Sequence, residues 1–528
     1  MHRLSSYLGG TWQPGQGQAA VLVNPATEAP LAEVAAAGGL GEALQWARRT
    51  GGANLRALSW RERGERLGAL ATLLHGAREE LIAIAVANGG NTRGDAKFDI
   101  DGAIGVVAGY ASIAAGLHGG HLVDGEAAPL HKGSKLRAQH VLTPRQGAAI
   151  HINAFNFPAW GMLGKFAVAF AAGVPVVSKP ATSTAMLAAR IAELVLAPGV
   201  LPEGAFQLLL GPAGDLLDHV GPQDVVAFTG SADTGARIRG HARVLGTNAR
   251  VNIEADSLNA AVIGPDVRSG TELFDLIVRD CAIELTQKAG QKCTATRRIL
   301  VPTALLGELR DAVVGRLAAT AARTGDPADD SNRMGPLSSA AQQRDARAGV
   351  ATLGARTSRV LGDPERRNFA GVADGVGYFL EPILLEATAE DALDPAAPFH
   401  HHEVFGPVAT LLPYDGGVQT AAQIVAAGEG SLVGTLYSDD REFTARATVA
   451  LAPHLGRLVL ACEKIAAASL APGCVFPVAN HGGPGRAGDG AELGGQHGLE
   501  LYLQRTTLQG GAAELARLLS AESPKPAG

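Results

Sequence analysis

Ala148-Ala149-Ile150-His151-Ile152, Val174-Pro175-Val176-Val177-Ser178, Phe206-Gln207-Leu208-Leu209-Leu210, Val225-Val226-Ala227-Phe228 and Arg250-Val251-Asn252-Ile253 are five short apolar runs following one another between residues 148 and 253. The stretches between them at 158–172, 183–196 and 232–244 read as helices. Apolar strands without polar alternation, separated by helices, indicate a buried parallel sheet, the doubly wound α/β architecture. Ligands of such sheets bind outside the carboxyl ends of the strands. Asn156, Lys179, Ser231 and Glu254 all fall just past such an end.

Outward from this block the chain changes character. Tyr7-Leu8-Gly9-Gly10-Thr11-Trp12 reads as an edge hairpin, residues 42–88 as helical with Leu67, Leu70, Leu73 and Leu74 on one face, and 95–117 as a second helical region. Residues 121–144 turn polar and strand-like. A second α/β block is expected from near Thr271, with a helix leading into Cys293, a strand at 298–301 and a helix at 304–322. Beyond Pro472 the chain is Gly-rich, and it closes on a strand-like stretch at 499–508. Segments 135–142 and 499–508 are expected to lack a partner sheet within one subunit. The tail from Ser523 reads as disordered.

Composition narrows the class. A chain of 528 residues is too long for one simple core, and 46% hydrophobic with 18% charged residues is the balance of a globular protein. No run of 18 uncharged apolar residues suggests a membrane span, and the N-terminus has no apolar segment of a secretory signal. A net charge of −6 argues against a nucleic-acid partner. Four cysteines without CxxC spacing suit free thiols in a reducing cytoplasm.

Cys293, in Ala289-Gly290-Gln291-Lys292-Cys293-Thr294, and Glu254, in Val251-Asn252-Ile253-Glu254-Ala255-Asp256, can form a nucleophile and a base. A single Cys is more often a small buried hydrophobe and a single Glu a solvated charge. Two further blocks lift the pair above that reading: Asn153-Ala154-Phe155-Asn156-Phe157-Pro158 and Phe228-Thr229-Gly230-Ser231. Two other patterns are decoys. Gly483-Pro484-Gly485-Arg486-Ala487-Gly488 fits GxGxxG but holds a Pro and opens no helix, so it is not read as a phosphate loop. His400-His401-His402-Glu403 has no second ligand cluster at a defined spacing, so no metal is expected.

Taken in order, these blocks resemble the aldehyde dehydrogenase superfamily, from the Tyr7–Trp12 region to the closing strand. The resemblance implies a Rossmann-like cofactor domain (1–120 and 144–267), an α/β catalytic domain (268–478), oligomerisation segments (121–143 and 479–515) and a tail (516–528). By the same resemblance Cys293 attacks the aldehyde carbonyl, the Asn156 amide and the Cys293 backbone N–H hold the oxyanion, and Glu254 activates the water that hydrolyses the thioester. Lys165 matches a lysine behind the site that tunes the proton relay. Glu403 matches the carboxylate holding the nicotinamide ribose, Phe405 a residue packed on the cofactor, and Lys179 a lysine near the adenosine ribose. Where the NAD pattern has Glu, this chain has Thr182. Loss of that charge beside Lys179 favours the 2′-phosphate, so NADP is the expected cofactor and NAD the weaker alternative. Gly230 and Ser231 open a helix suited to the pyrophosphate. A homodimer, or a dimer of dimers, follows from the resemblance too.

Two blocks depart from the family pattern. Leu-Glu-Leu-Gly-Gly around the base reads Ile253-Glu254-Ala255-Asp256-Ser257, and the C-terminal Pro-Phe-Gly-Gly block reads His481-Gly482-Gly483-Pro484. Both are similar to the semialdehyde dehydrogenases of aromatic ring cleavage that act on CoA thioesters, in benzoyl-CoA oxidation and in phenylacetate degradation. The phenylacetate enzyme carries an extra hydratase domain, for which this chain leaves no room after Leu508, so the stand-alone benzoate-type enzyme is the closer expectation. The substrate implied is an aldehyde linked to CoA. A CoA-acylating dehydrogenase is the rival within the class, and Glu254 weighs against it because such enzymes need no water-activating carboxylate. A catalytically silent protein of the same fold is the rival outside it, and the intact set Cys293, Glu254, Asn156 and Lys179 weighs against that.

Overall fold

In the computed structural model, which describes residues 1–118 and 122–520, the five apolar runs become the parallel strands Ala149–Ile152, Val176–Lys179, Phe206–Leu208, Val225–Thr229 and Arg250–Glu254. They form one seven-stranded sheet with Arg250–Glu254 at one edge and Ala149–Ile152 in the middle. The antiparallel hairpin Ser6–Leu8/Thr11–Gln13 finishes the other edge, as the Tyr7–Trp12 pattern suggested. The strands are buried on both faces. One face is covered by Trp60–Gly76, Arg93–Ala115, Trp160–Ala171 and Ala185–Val195, and the other by Leu40–Trp46 and Ala232–Arg239. Lys179 and Glu254 are the last residues of their strands.

A second seven-stranded sheet runs Ser358–Leu361, Ile383–Glu386, Val408–Tyr414, Arg298–Pro302, Ala260–Ile263, Ser431–Tyr437 and Leu455–Ala461. Only the first of these, at an edge, is antiparallel. Ala260–Ile263 lies near its centre, so this sheet begins before Thr271, earlier than expected. The run is only four residues long and follows the first sheet closely, so nothing local marks the change of sheet.

The expectation that segments 135–142 and 499–508 lack a partner within one subunit is corrected. Leu136–Pro144 and Leu503–Gly511 pair with each other antiparallel along their whole length, from Leu503 opposite Pro144 to Gly511 opposite Leu136. Leu122–Pro129 adds a third strand on the other side. The closing strand also starts later than read, because Gly495–Tyr502 forms 3-10 turns. Residues 516–520 of the expected tail belong to the helix Ala512–Ser520, and the tail from Ser523 lies outside the described residues, as does His121.

Two helical readings were too long. Residues 232–244 divide into Ala232–Arg239 and Ala242–Thr247 at Gly240-His241. Residues 42–88 divide at Ser59, whose hydroxyl accepts from the Glu62 amide while the Glu62 carboxylate accepts from the Ser59 amide. Arg93–Ala115 is long and apolar enough, by length and composition, to cross a membrane. It instead carries buried Asp95 and Asp99 and packs against Trp60–Gly76 and Trp160–Ala171 inside the core.

Candidate active site

Glu254 ends its strand beside Thr229, its register partner on the next strand. The Thr229 hydroxyl donates to Glu254 Oε2 at 3.3 Å and receives a bond of 2.6 Å from Lys165 Nζ. Lys165 is buried on Trp160–Ala171 and also faces Glu492 Oε2 at 3.3 Å. Asn156 lies in the loop after Ala149–Ile152. Its amide donates to the Gln291 carbonyl at 3.1 Å, which ties this loop to the cysteine-bearing one. A primary amide carries a second hydrogen, free for an incoming oxygen.

The loop that carries Cys293 begins where Glu272–Thr286 ends. Lys288, Ala289 and Gly290 then turn left-handed in succession, with φ of 54°, 51° and 67°. A Cβ at Gly290 would stand 2.3 Å from the Gly406 carbonyl oxygen, so no side chain fits. Buried Arg297 staples the two segments by donating to the Gly290 carbonyl at 2.9 Å and the Gly406 carbonyl at 2.7 Å. Asn259 Nδ2 holds the Cys293 carbonyl at 2.8 Å. The sulfur thus sits on a pinned turn, half-buried.

A third element completes the group. The hairpin Asn480–Gly483/Gly490–Leu493 places His481 opposite Glu492. His481 Nε2 lies 3.1 Å from Glu254 Oε1 and 4.0 Å from Cys293 Sγ. The donor atoms of Glu254, Cys293 and His481 lie within 4.8 Å of one another. Glycines let this hairpin press onto the strand of Glu254: a Cβ at Gly488 or Gly490 would meet the Ile253 carbonyl oxygen at 2.4 or 2.1 Å. The Ala255 amide donates to the Ala487 carbonyl at 2.9 Å. The literal GxGxxG is therefore a close-packing device. From the sequence His481 stood out only as part of the departing C-terminal block, with no role assigned, and Glu492 not at all. The available signal was a titratable residue, His481, standing where the family block has Phe, whereas Glu492 is found only through the hairpin register.

Burial is the largest influence on the Glu254 carboxyl and opposes its charge, but His481 and then Lys165 outweigh it and hold its pKa below the ordinary range. Burial, followed by the Glu254 carboxylate, pushes the Cys293 thiol well up. Part of Cys293 stays open to the cleft, which tempers the burial contribution, while the charge of Glu254 acts regardless. A thiol placed in this way needs a proton acceptor in contact before it can attack.

Two clefts meet at Asn156, Thr229, Glu254 and Cys293. One is walled by Phe98, Phe157 and Trp160, whose rings meet edge to face at 5.3–6.0 Å. The other is lined by Gly230, Ser231, Glu403 and Phe405. Lys179 and Thr182 flank Ala181, which lines that cleft, without lining it themselves, and burial lowers the Lys179 pKa. Ser231 caps Ala232–Arg239, and the Ala232 amide is held by the Asp256 carboxylate at 3.1 Å. Glu403 Oε2 accepts from the Ser257 amide at 3.0 Å, while its buried Oε1 has no hydrogen-bond partner among the described residues and faces Arg297 Nε at 3.5 Å. Phe405 packs edge to face on Phe155 at 5.8 Å. His400 is structural: Arg298 donates to its Nδ1 at 3.1 Å, and its Nε2 lies 3.1 Å from the Ala392 carbonyl.

Fold and site together define an oxidoreductase acting on aldehydes. Residues 12–508 match the aldehyde dehydrogenase family, and the chain belongs to it. It is 44% identical over 485 residues to the 3,4-dehydroadipyl-CoA semialdehyde dehydrogenase of Aromatoleum evansii, spanning 91% of this chain and 93% of that one. It is 31% identical over 412 residues to an aminoacetaldehyde dehydrogenase of Pseudomonas aeruginosa, 76% of each. Betaine aldehyde dehydrogenase of Staphylococcus aureus in complex with NAD⁺ shares the fold at a TM-score of 0.83, over 97% of this chain and 95% of that one at 24% identity.

Proposed function

We propose that this enzyme oxidises a CoA-linked semialdehyde of the 3,4-dehydroadipyl-CoA kind to the carboxylic acid, with NADP as cofactor and water as the final acyl acceptor. The observation that carries the reaction type is the meeting of Cys293, Asn156 and Glu254 at the junction of two clefts. The substrate class rests on the 44% identical relative.

Cys293 attacks the aldehyde carbon, and the oxygen that gains charge is received by the Asn156 amide and the Cys293 backbone N–H. The cofactor, when bound, accepts the hydride. Cys293 is then left as a thioester, and Glu254 takes the proton from the attacking water. Lys165, through Thr229, steadies the Glu254 carboxylate. The second cleft fits a dinucleotide: Glu403 Oε1 is a buried acceptor awaiting a donor such as a ribose hydroxyl, and Gly230 would push a Cβ to within 2.4 Å of Phe228. Ser231 would face the pyrophosphate, Phe405 the nicotinamide end, and Lys179 with Thr182 the adenosine ribose. No carboxylate stands at position 182 to repel a 2′-phosphate, which favours NADP over NAD. The free cysteines suit a reducing cytoplasm.

The test is rapid-mixing kinetics with CoA-linked and free aldehydes and both cofactors. Glu254→Gln is expected to give one stoichiometric burst of NADPH while steady turnover drops about 10²-fold or more. Cys293→Ala is expected to give neither burst nor turnover yet bind cofactor. A Glu254→Gln enzyme without a burst, or NADPH formation by Cys293→Ala, would remove the assignment.

A further inference from the structure

Glu254 faces two protons in one turnover, that of the Cys293 thiol and that of the deacylating water, and a single carboxylate can hold only one. We propose that His481 is where the thiol proton comes to rest, which leaves Glu254 ionised for the water step. This rests on the hydrolytic dehydrogenase reading above.

The geometry supplies the acceptor. His481 Nε2 reaches Cys293 Sγ at 4.0 Å, the outer limit for a hydrogen bond to sulfur, and Glu254 Oε1 at 3.1 Å. The proton can therefore pass directly or across the carboxylate. The charged and titratable groups facing His481 come from three elements: Cys293 on its pinned loop, Glu254 at the end of Arg250–Glu254, and Glu492 opposite it in the hairpin. Lys165 stands behind them, 3.3 Å from Glu492, and its charge bears on Glu254 as well. A proton arriving on the imidazole is met by the Glu254 carboxylate at 3.1 Å and by Glu492 across the hairpin, so an imidazolium is ion-paired as it forms. The His side chain is 12% exposed, and its strand is closely packed: Cβ atoms at Gly482 and Gly483 would stand 1.9 Å from the Gly490 carbonyl oxygen and 2.3 Å from that of Ser431.

The protons balance. The Cys293 S–H bond breaks and a His481 N–H bond forms, giving a thiolate–imidazolium pair beside an unchanged Glu254 carboxylate. Once acylation has consumed the thiolate charge, the imidazolium gives its proton to solvent. In hydrolysis the water proton taken by Glu254 returns to sulfur and restores the thiol.

Alkylation of Cys293 by iodoacetamide tests this with neither aldehyde nor cofactor present. The rate is followed against pH, and the Cys293→Ala protein corrects for Cys462 and Cys474. In His481→Gln, which keeps a donor but lacks a basic nitrogen, alkylation at neutral pH should fall about tenfold or more and its inflection move to higher pH, as for a thiol pKa raised by one unit. In His481→Ala, added imidazole should restore part of the rate. An alkylation profile equal to wild type in a His481→Gln protein of native melting temperature overturns the proposal; should that variant not fold, His481→Asn is read in the same way. A shifted profile in a protein inactive on every aldehyde would sink the proposed function and leave this inference standing.

Discussion

At the scale of single residues, Thr182 beside the second cleft and Glu403 within it make separate predictions. Thr182→Glu would place a carboxylate beside the adenosine ribose, where it repels a 2′-phosphate and binds ribose hydroxyls. The ratio of kcat/KM for NADP⁺ over NAD⁺ should fall about tenfold or more. A wild type that already prefers NAD⁺, or a ratio unmoved by the substitution, would mean that Thr182 faces elsewhere. Glu403 predicts a pH dependence. Burial pushes its carboxyl up to about 7, against the pull of Arg297. Because the ribose needs the carboxylate, cofactor affinity should rise as pH climbs through about 7 and level off above. Fluorescence titration of NADPH checks this, with Glu403→Gln expected to bind more weakly and to lose the dependence. Much of this site was legible in the sequence, because Cys293, Glu254 and Asn156 sit in blocks of recognisable order. His481 was not, since it joins the group through a hairpin whose register only the folded chain reveals.

At the scale of elements, the five parallel strands were readable because each is a continuous apolar run between helical stretches. The second sheet begins earlier than the block expected from near Thr271, because a four-residue apolar run such as Ala260–Ile263 does not say which sheet it enters. The closing strand was misplaced by a few residues because Leu499, Tyr502 and Leu503 are apolar and buried in the 3-10 turns and at the strand start alike. The element most exposed to a single change is the left-handed turn before Cys293. In Gly290→Ala the new methyl meets the Gly406 carbonyl, and relief requires moving the segment held by Arg297 or the one bearing the sulfur. A displacement of about 1 Å at a reacting group costs on the order of 10²-fold in rate. kcat/KM should fall by that order while circular dichroism stays native. Activity within a factor of two of wild type would show that the loop adjusts freely.

At the scale of the whole molecule, Leu122–Pro129 and Leu503–Gly511 flank Leu136–Pro144 in a three-stranded sheet, and among the described residues no further strand pairs with either outer edge. Edges of this kind recruit another strand or are covered. A homodimer or larger even assembly is expected, and light scattering at micromolar concentration should give a multiple of 54.0 kDa. A mass of one subunit would refute it. The hairpin over Glu254 has a consequence in time as well. His481 follows Cys293 by 188 positions. A ribosome adding about 5–20 residues per second needs roughly 10–40 s to cover that distance. Throughout the interval the growing chain carries the cysteine but neither the imidazole beside it nor the glycine-lined cover over the strand of Glu254. The reactive centre is therefore assembled late in synthesis, when the hairpin closes.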